Sequence, residues 1–211
     1  MDTSSIEEVR ALYEETADSY SKMMDTEINL PIYSDILSRL SKRISNFPGP
    51  VVDTSCGSGH MLYRYHTRYD PHRSLVGIDL SGRMVENTSN KLGKNAKTII
   101  ADMRDLSMIS TGSSAAVLSF FALHHLNPDN ALKAFKEWHR ILCVQGQLVV
   151  AVWEGSGPID YGDETDIVAI RYTKDEVISW ATDSGFVIDR CTVESVEEMS
   201  MKAIYLEATK H

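Results

Sequence analysis

The sequence has few cysteines, no long apolar run and fewer basic than acidic residues. Its three cysteines, Cys56, Cys143 and Cys191, are odd in number and form no C-x-x-C pair, so neither a disulfide framework nor a zinc site is expected. No apolar run reaches the roughly 18 residues of a membrane-spanning helix. The polar, acidic segment Met1 to Ser5 is unlike a secretory signal. Together these features favour a cytoplasmic protein without a membrane span.

The charge balance bears on the partners of the protein. The chain carries 30 acidic and 21 basic residues, a formal net charge of −9. A nucleic-acid binder usually presents a basic face, and the sequence contains no dense Lys/Arg cluster, so nucleic acid is not the favoured partner. With 211 residues, 43% of them hydrophobic, we expect a single domain over residues 1–211 with a substantial core.

The pattern of apolar residues predicts two N-terminal helices followed by an alternating αβ array. Helical spacing runs over residues 4–24, with Ser4 or Ser5 as the cap, and again over 31–45. From residue 51, short apolar runs alternate with helical segments, which predicts a parallel sheet with helices on both faces. The predicted strands are 51–54, 75–79, 98–102, 115–121 and 147–153, and the helices between them are 60–69, 81–92 and 128–142.

The C-terminal part departs from this alternation. A helix is predicted over 173–184, where Thr173 and Glu176 have the spacing of a capping box. Two strands, at about 186–194 and 203–209, follow it. The connection between them is too short for a parallel crossover, so the pair must form an antiparallel hairpin.

A glycine-rich segment, Asp53-Thr54-Ser55-Cys56-Gly57-Ser58-Gly59, directly follows the first predicted strand. A glycine turn at this place lets a ligand approach the backbone, and the next helix offers it free N–H groups. The dinucleotide fingerprint G-x-G-x-x-G would need a glycine at position 62, which is Leu62. A nucleotide-dependent oxidoreductase is therefore the disfavoured alternative.

Two further carboxylates, Asp79 and Asp102, close the second and third predicted strands. Parallel strands end at one edge of a sheet, so these side chains are expected to lie near Asp53. Asp53 suits an ammonium group, and Asp79 suits both hydroxyls of a ribose. Asp102 suits an adenine amino group, with Met103 against the ring. The set predicts S-adenosylmethionine as ligand; the alternative is that these acids only cap turns and helices.

At these motifs the chain resembles the class I S-adenosylmethionine-dependent methyltransferases of the small-molecule type, close to the ubiquinone/menaquinone-biosynthesis group. The resemblance covers nearly the whole chain. It departs from the usual pattern at Thr54-Ser55 and at Cys143 to Gly146. The matching segments, in order, are Val51 to Gly59, Gly77 to Leu80, Ala101 to Met103, Ala122 to Leu126 and Arg140 to Leu148.

The resemblance implies an α/β fold, a Rossmann-like doubly wound sheet of seven strands in the order 3-2-1-4-5-7-6 with strand 7 antiparallel. It implies N-terminal lid helices over residues 1–47, which close over the cofactor, and a core over 48–211. The cofactor-binding residues that it implies are Tyr13, Tyr20, Asp53, Ser55, Cys56, Gly57, Gly59, His60, Asp79, Leu80, Met84, Asp102, Met103 and Phe120.

Two histidines, His124 and His125, follow the fourth predicted strand, where the acceptor pocket should open. A neutral imidazole there could take a proton from an acceptor during in-line methyl transfer. The alternative is that one histidine packs inside and the other caps the turn at Pro128-Asp129. We expect a small-molecule acceptor and no metal. A non-catalytic S-adenosylmethionine-binding protein and a methyltransferase acting on protein or RNA are the other readings.

Overall fold

The computed structural model describes residues 3–161, 165–196 and 201–211. Within them the chain forms a seven-stranded sheet flanked by helices, with 3-10 turns at Gly93–Asn95 and Leu123–His125. Among the helices described, none is long and apolar enough to cross a bilayer. The helices are α1 (Ile6–Glu27), α2 (Pro31–Ile44), α3 (His60–Arg68), α4 (Gly82–Leu92), α5 (Pro128–Ile141) and α6 (Lys174–Asp183). The strands are β1 (Val51–Asp53), β2 (Leu75–Asp79), β3 (Ala96–Ile100), β4 (Ser114–Phe120), β5 (Leu142–Glu154), β6 (Phe186–Val196) and β7 (Met201–Lys210).

The strand order is β3-β2-β1-β4-β5-β7-β6, as predicted. Strands β1 to β5 pair in parallel, and β7 runs antiparallel to both of its neighbours, β5 and β6. The C-terminal hairpin and the Rossmann-like doubly wound architecture are therefore confirmed. The acidic turn of the hairpin, residues 197–200, lies outside the described residues.

Two apolar layers cover the two faces of the sheet because alternate residues of a strand point to opposite sides. Val52 and Val117 pack in one cluster with α5 and α6, where Trp138 is fully buried. Val51 and Leu118 pack in the other cluster with α2 and α3. Nearly all-apolar strands are expected when both faces are covered.

Local signals place the helix ends close to their predicted positions. Ser5 caps α1 in a capping box with Glu8: the Ser5 N–H donates to the Glu8 carboxylate (2.7 Å), and the Glu8 N–H donates to Ser5 Oγ (3.3 Å). Thr173 and Glu176 form the predicted capping box at the start of α6. Such a box satisfies backbone donors that the first helical turn leaves free.

Two predicted strand boundaries are wrong. Strand β3 ends at Ile100, so Asp102 lies in the following turn, where the Arg104 guanidinium holds it. Strand β5 begins at Leu142 instead of residue 147, because an irregularity in its pairing with β4 absorbs the extra residues. Gln145 has a positive φ of 66° within that irregularity, which breaks the alternating pattern that marks a strand.

Helix α1 lies across the carboxyl ends of the strands and is fastened to the core by polar contacts. The Glu14 carboxylate accepts hydrogen bonds from the backbone N–H groups of Gly82 and Arg83, at the start of α4. Further along α1, Asp25 lies 2.8 Å from Nε2 of His60, the first residue of α3. Carboxylates at helix N-termini are favourable because of the free N–H groups there.

Gly59 provides a stability test of the glycine turn. It has φ +78°, and an added Cβ would meet the Thr88 side chain at 3.0 Å, whereas Gly112 has φ +67° and nothing within 4 Å. We expect Gly59→Ala to lower the free energy of unfolding by about 2–4 kcal/mol, from the left-handed backbone and the clash. Gly112→Ala, the control, should cost about 1–2 kcal/mol from the backbone alone. Urea unfolding measures both, and equal losses would contradict the packing explanation.

Candidate functional site

A cavity of about 620 Å³, including the part open to solvent, lies between α1 and the carboxyl ends of the strands. This is the edge where ligands bind in open α/β sheets, at the point where the strand order reverses. The cavity brings together most of the predicted site residues. Those that line it are Tyr13, Tyr20, Ser55, Gly57, Asp79, Leu80, Met84, Asp102, Met103, Phe120 and His125.

The remaining predicted residues lie elsewhere. Asp53, Cys56 and His60 line an adjoining cavity of about 380 Å³, which shares Tyr20, Ser55, Phe120 and Phe121 with the first. Gly59 and His124 line neither cavity. The left-handed backbone of Gly59 and its closeness to Thr88 explain a glycine there by packing alone. The lining residues that sequence reasoning missed are Val9, Thr54, Phe121, Ala122 and Leu126.

The glycine turn is built around Asp79. The Gly57 N–H donates to Asp79 Oδ2 (2.9 Å), and the Ser81 N–H donates to Oδ1 (3.0 Å). Gly57 itself has φ +50°, and an added Cβ would meet Cε1 of Tyr20 at 2.9 Å. The ring of Tyr20 therefore lies directly on the turn, and only glycine fits beneath it.

No described residue offers a cationic partner to the two carboxyl groups at this turn, Asp53 and Asp79. Asp53 is 2% exposed, and its Oδ1 accepts a hydrogen bond from the Ser55 N–H (3.2 Å). Within the described ranges, neither Asp53 nor Asp79 forms an ion pair. Burial raises the pKa of Asp53 to about 7 and also raises the pKa of Asp79. A cationic ligand would relieve this penalty.

Asp102 is placed differently from the other two carboxylates. Its two oxygens accept hydrogen bonds from Arg104 Nε (3.0 and 2.9 Å), and Nη2 of the same guanidinium lies 2.6 Å from Oδ2. Asp102 still lines the cavity beside Met103. An adenine amino group at Asp102 would therefore share the carboxylate with Arg104.

Tyr13 and His125 form a hydrogen-bonded pair in the cavity wall. The Tyr13 hydroxyl lies 2.9 Å from His125 Nε2, and the rings meet edge to face with centroids 5.5 Å apart. Burial lowers the pKa of His125 to about 4 and raises the pKa of Tyr13. At neutral pH the pair is therefore an uncharged imidazole and a protonated phenol.

His124 points away from the cavity. It is 3% exposed, and its ring centroid lies 4.2 Å from that of His125. Its backbone carbonyl accepts a hydrogen bond from the Ile170 N–H (2.8 Å). The side chain that caps α5 is Asn127, so neither histidine has the capping role of the alternative interpretation. His124 is an inner packing residue, and His125 alone faces the cavity.

His60 of α3 connects α1 to α4 through its side chain. Its Nε2 lies 2.8 Å from both Asp25 Oδ1 and Lys91 Nζ, and Lys91 and Asp25 are 3.6 Å apart. Burial lowers the pKa of His60. Among the residues described, no group of three or more His, Cys, Asp or Glu side chains is arranged to hold a metal ion.

Comparison with known proteins agrees with the geometry. The family profile "Methyltransferase domain" matches residues 51–146, from β1 into β5. The matched segment contains the glycine turn and the ends of β1, β2 and β3. The cavity fits S-adenosylmethionine, the cofactor expected from the sequence. It places Gly57, where a side chain would clash with Tyr20, beside carboxyl groups that have no cationic partner among the described residues.

The curated relatives are "Probable tRNA methyltransferase 9B" proteins. The human one is 28% identical over 134 residues, which are 60% of this chain and 28% of that protein. The mouse one is 27% identical over 152 residues, 69% of this chain and 29% of that protein. The chain thus spans less than a third of the length of these relatives.

Solved methyltransferase structures share the fold. A 1,6-didemethyltoxoflavin-N1-methyltransferase of Burkholderia thailandensis, with S-adenosylhomocysteine bound, is 16% identical with a TM-score of 0.74, over 100% of this chain and 92% of that chain. A magnesium protoporphyrin IX methyltransferase of Synechocystis PCC 6803, with S-adenosylmethionine bound, is 19% identical with a TM-score of 0.72, over 96% and 95%.

The raised pKa of Asp53 predicts how the stability of the ligand-free protein depends on pH. Between about pH 4 and pH 7 the folded state keeps a proton that the unfolded chain releases, so the free energy of unfolding falls as pH rises. Asp53→Asn imitates the protonated form. We expect it to be more stable than the wild type by roughly 2–4 kcal/mol at pH 8 and nearly equal to it at pH 4.

Urea unfolding across this pH range measures the difference. Asp105→Asn changes an exposed aspartate in the same part of the fold and serves as the control. It should give no stabilisation at pH 8. If Asp53→Asn is less stable than the wild type at pH 8, the carboxyl does not carry a burial penalty.

Proposed function

We propose that this protein transfers the methyl group of S-adenosylmethionine to a small-molecule acceptor. The observation that carries the proposal is the pair of carboxyl groups, Asp53 and Asp79, withdrawn from water at a glycine turn without a cationic partner among the described residues. The cofactor brings two positive charges, an ammonium and a sulfonium, and its sulfonium activates the methyl group for displacement.

The chain's residues have separate tasks in binding. Asp53 would meet the ammonium group, and Asp79 would accept from the ribose hydroxyls while it continues to hold the Gly57 N–H. Met103 and Leu80 would pack on the adenine, beside Asp102. The ring of Tyr20 packs directly on Gly57 of the turn. Alignment and exclusion of water are the main contributions of the protein to such a displacement.

The Tyr13–His125 pair would receive the proton of the acceptor. An acceptor heteroatom that receives a methyl group in place of its hydrogen must release that hydrogen as a proton. The phenol oxygen of Tyr13 takes this proton and passes its own to His125 Nε2, 2.9 Å away, and the imidazolium later releases it to water. Because burial lowers the pKa of His125 to about 4, the relay suits an acceptor that is already a fair acid.

The shape of the site supports a small acceptor. Helix α1 covers the cavity, and the Tyr13 and Tyr20 hydroxyls are buried although each residue as a whole is half-buried. The net charge of −9 would repel a polyanion. Membership of the ubiquinone/menaquinone-biosynthesis group stays a prediction from sequence.

RNA is the second candidate acceptor, and a specific observation favours it: the curated relatives are described as probable tRNA methyltransferases. Transfer of a labelled methyl group separates the two candidates. Purified protein and labelled cofactor are incubated with a small-metabolite extract or with bulk tRNA. Label in the metabolite fraction supports the proposal. Label in tRNA alone would overturn the small-molecule assignment, and no label in either would contradict methyl transfer itself.

The proposed function predicts that the protein binds its cofactor through Asp79. Calorimetric titration should show that the wild type binds S-adenosylmethionine and S-adenosylhomocysteine. Asp79→Asn places an amide nitrogen where an oxygen accepts from Gly57 or Ser81, so both affinities should fall at least about tenfold. Glu86→Gln, on the exposed side of α4, is the control and should bind like the wild type. Failure of the wild type to bind either ligand would contradict the cofactor assignment.

The proposed proton relay predicts a loss of turnover when the Tyr13 hydroxyl is removed. Tyr13→Phe removes the hydroxyl that contacts His125 and keeps the ring, so the turnover number should fall by about 10²-fold or more while cofactor affinity changes little. Tyr63→Phe, an exposed tyrosine of α3, is the matched control and should keep full turnover. Steady-state kinetics with labelled cofactor measure both. Unchanged turnover in Tyr13→Phe would remove Tyr13 from the mechanism.

A further inference from the structure

Phe121 has an unusual backbone at the edge of the cavity. Its φ is +49°, a left-handed value that bulky side chains rarely adopt, and Gln145 is the only other non-glycine residue in the described ranges with a positive φ. Such a conformation costs about 1–3 kcal/mol and persists where surrounding contacts enforce it. Strain of this kind is a reason to look for a function.

The contacts that hold Phe121 in place can be identified. Its N–H donates to the Ala151 carbonyl of β5 (2.8 Å). Its ring stacks on Trp153 with centroids 4.5 Å apart and a 36° angle between the planes, and it meets Tyr205 edge to face at 6.3 Å. Trp153 is 8% exposed, so the ring of Phe121 rests on a rigid, buried support. The backbone turn therefore presents a fixed aromatic face.

That ring lies where the two cavities meet. Phe121 lines both the large cavity and the adjoining one, together with Tyr20, Ser55 and Phe120. It remains half-buried although strongly apolar. An aromatic face left free at the junction of two cavities is available to a ligand ring, since offset stacking adds about 0.5–1.5 kcal/mol beyond the burial of area.

The charge of the cavity wall further restricts the class of acceptor that fits. Among the described residues that line the large cavity there is no lysine or arginine, and its neutral hydrogen-bonding groups include the Tyr13–His125 pair. A phosphate or carboxylate on the acceptor would find no basic side chain among these residues. An uncharged acceptor with an O–H or N–H group fits this wall.

We propose that Phe121 is a specificity-determining residue whose ring stacks on the acceptor, and that the acceptor is a flat, conjugated ring carrying an acidic O–H or N–H. This rests on the proposed methyl-transfer function and adds the class of its substrate. The ring of the acceptor lies on Phe121, and its acidic group faces Tyr13. Phenolic and heteroaromatic hydroxyls are stronger acids than aliphatic hydroxyls, which favours transfer of their proton to the Tyr13–His125 pair.

The test uses a matched pair of probes, 1-naphthol and its saturated counterpart decahydro-1-naphthol, which share a carbon skeleton and a hydroxyl. Each is titrated calorimetrically into protein loaded with S-adenosylhomocysteine and into ligand-free protein. We expect the wild type to prefer 1-naphthol by about tenfold, and Phe121→Leu to reduce that preference to about twofold or less, because leucine fills the volume without a π-face. Phe121→Tyr keeps the ring and should keep the preference.

A second variant keeps the test decisive if Phe121→Leu does not fold. Phe121→Asn tolerates the positive φ and also lacks the ring, so it should lose the preference even where Phe121→Leu does not fold. Equal binding of the two probes to the wild type, no binding of 1-naphthol, or an unchanged preference in the ring-less variants would overturn the proposal. The affinity for S-adenosylhomocysteine, measured on each protein, reads out the proposed function separately and should stay within about twofold in all variants.

Discussion

Two buried carboxyl groups, which have no cationic partner in the described part of the chain, govern the arrangement of this site. Asp53 closes β1 and Asp79 closes β2, and burial raises the pKa of both. A protein that needed only stability would place an amide or an apolar group at Asp53. Backbone N–H groups of Ser55, Gly57 and Ser81 contact these carboxylates and orient them without neutralising them. A cationic ligand would supply the missing positive charge.

Helix α1 contributes to the burial of these carboxyl groups, since Tyr20 lines both cavities. Burial disfavours a charged carboxylate and strengthens its attraction for a cation. Tyr20 seals the turn over Gly57, and the contacts of Glu14 and Asp25 with α4 and α3 keep the helix in place. The helix is also held by apolar contacts, since Val9, Ala17 and Met24 are buried. Its position therefore depends on both polar and apolar contacts with the rest of the fold.

The sequence predicted the elements well because strong local signals mark them. Asp53, Gly57 and Asp79 stand at the ends of short apolar runs, and that position alone brings them to one edge of a parallel sheet. The strand order could not be read from local pattern and came from resemblance to a family. Asp102 was predicted to end the third strand but lies two residues beyond it, because Ala101 extends the apolar run past the last pairing residue, Ile100.

The residues that sequence reasoning missed depend on backbone geometry. Phe121 reads as one more apolar residue after β4, and its role follows from a positive φ that no local signal announces. His124 and His125 are adjacent and chemically identical, so only the turn after β4 decides which of them faces the cavity. Val9 lies on the apolar face of α1. The helical periodicity of apolar residues does not show which residues of that face line the cavity and which pack in the core.

Selection of the acceptor must come from parts of the fold outside the glycine turn. The Ser4 N–H donates to the Val168 carbonyl (3.0 Å), and the Val168 N–H donates to Ser4 Oγ (2.9 Å). Two residues on, Ile170 contacts the carbonyl of His124 (2.8 Å). The start of α1, the segment after β5 and the histidine turn therefore form one connected wall. The proposed small acceptor agrees with this arrangement, because a larger acceptor would meet these hydrogen-bonded segments beside the cavity, at the cost of several hydrogen bonds.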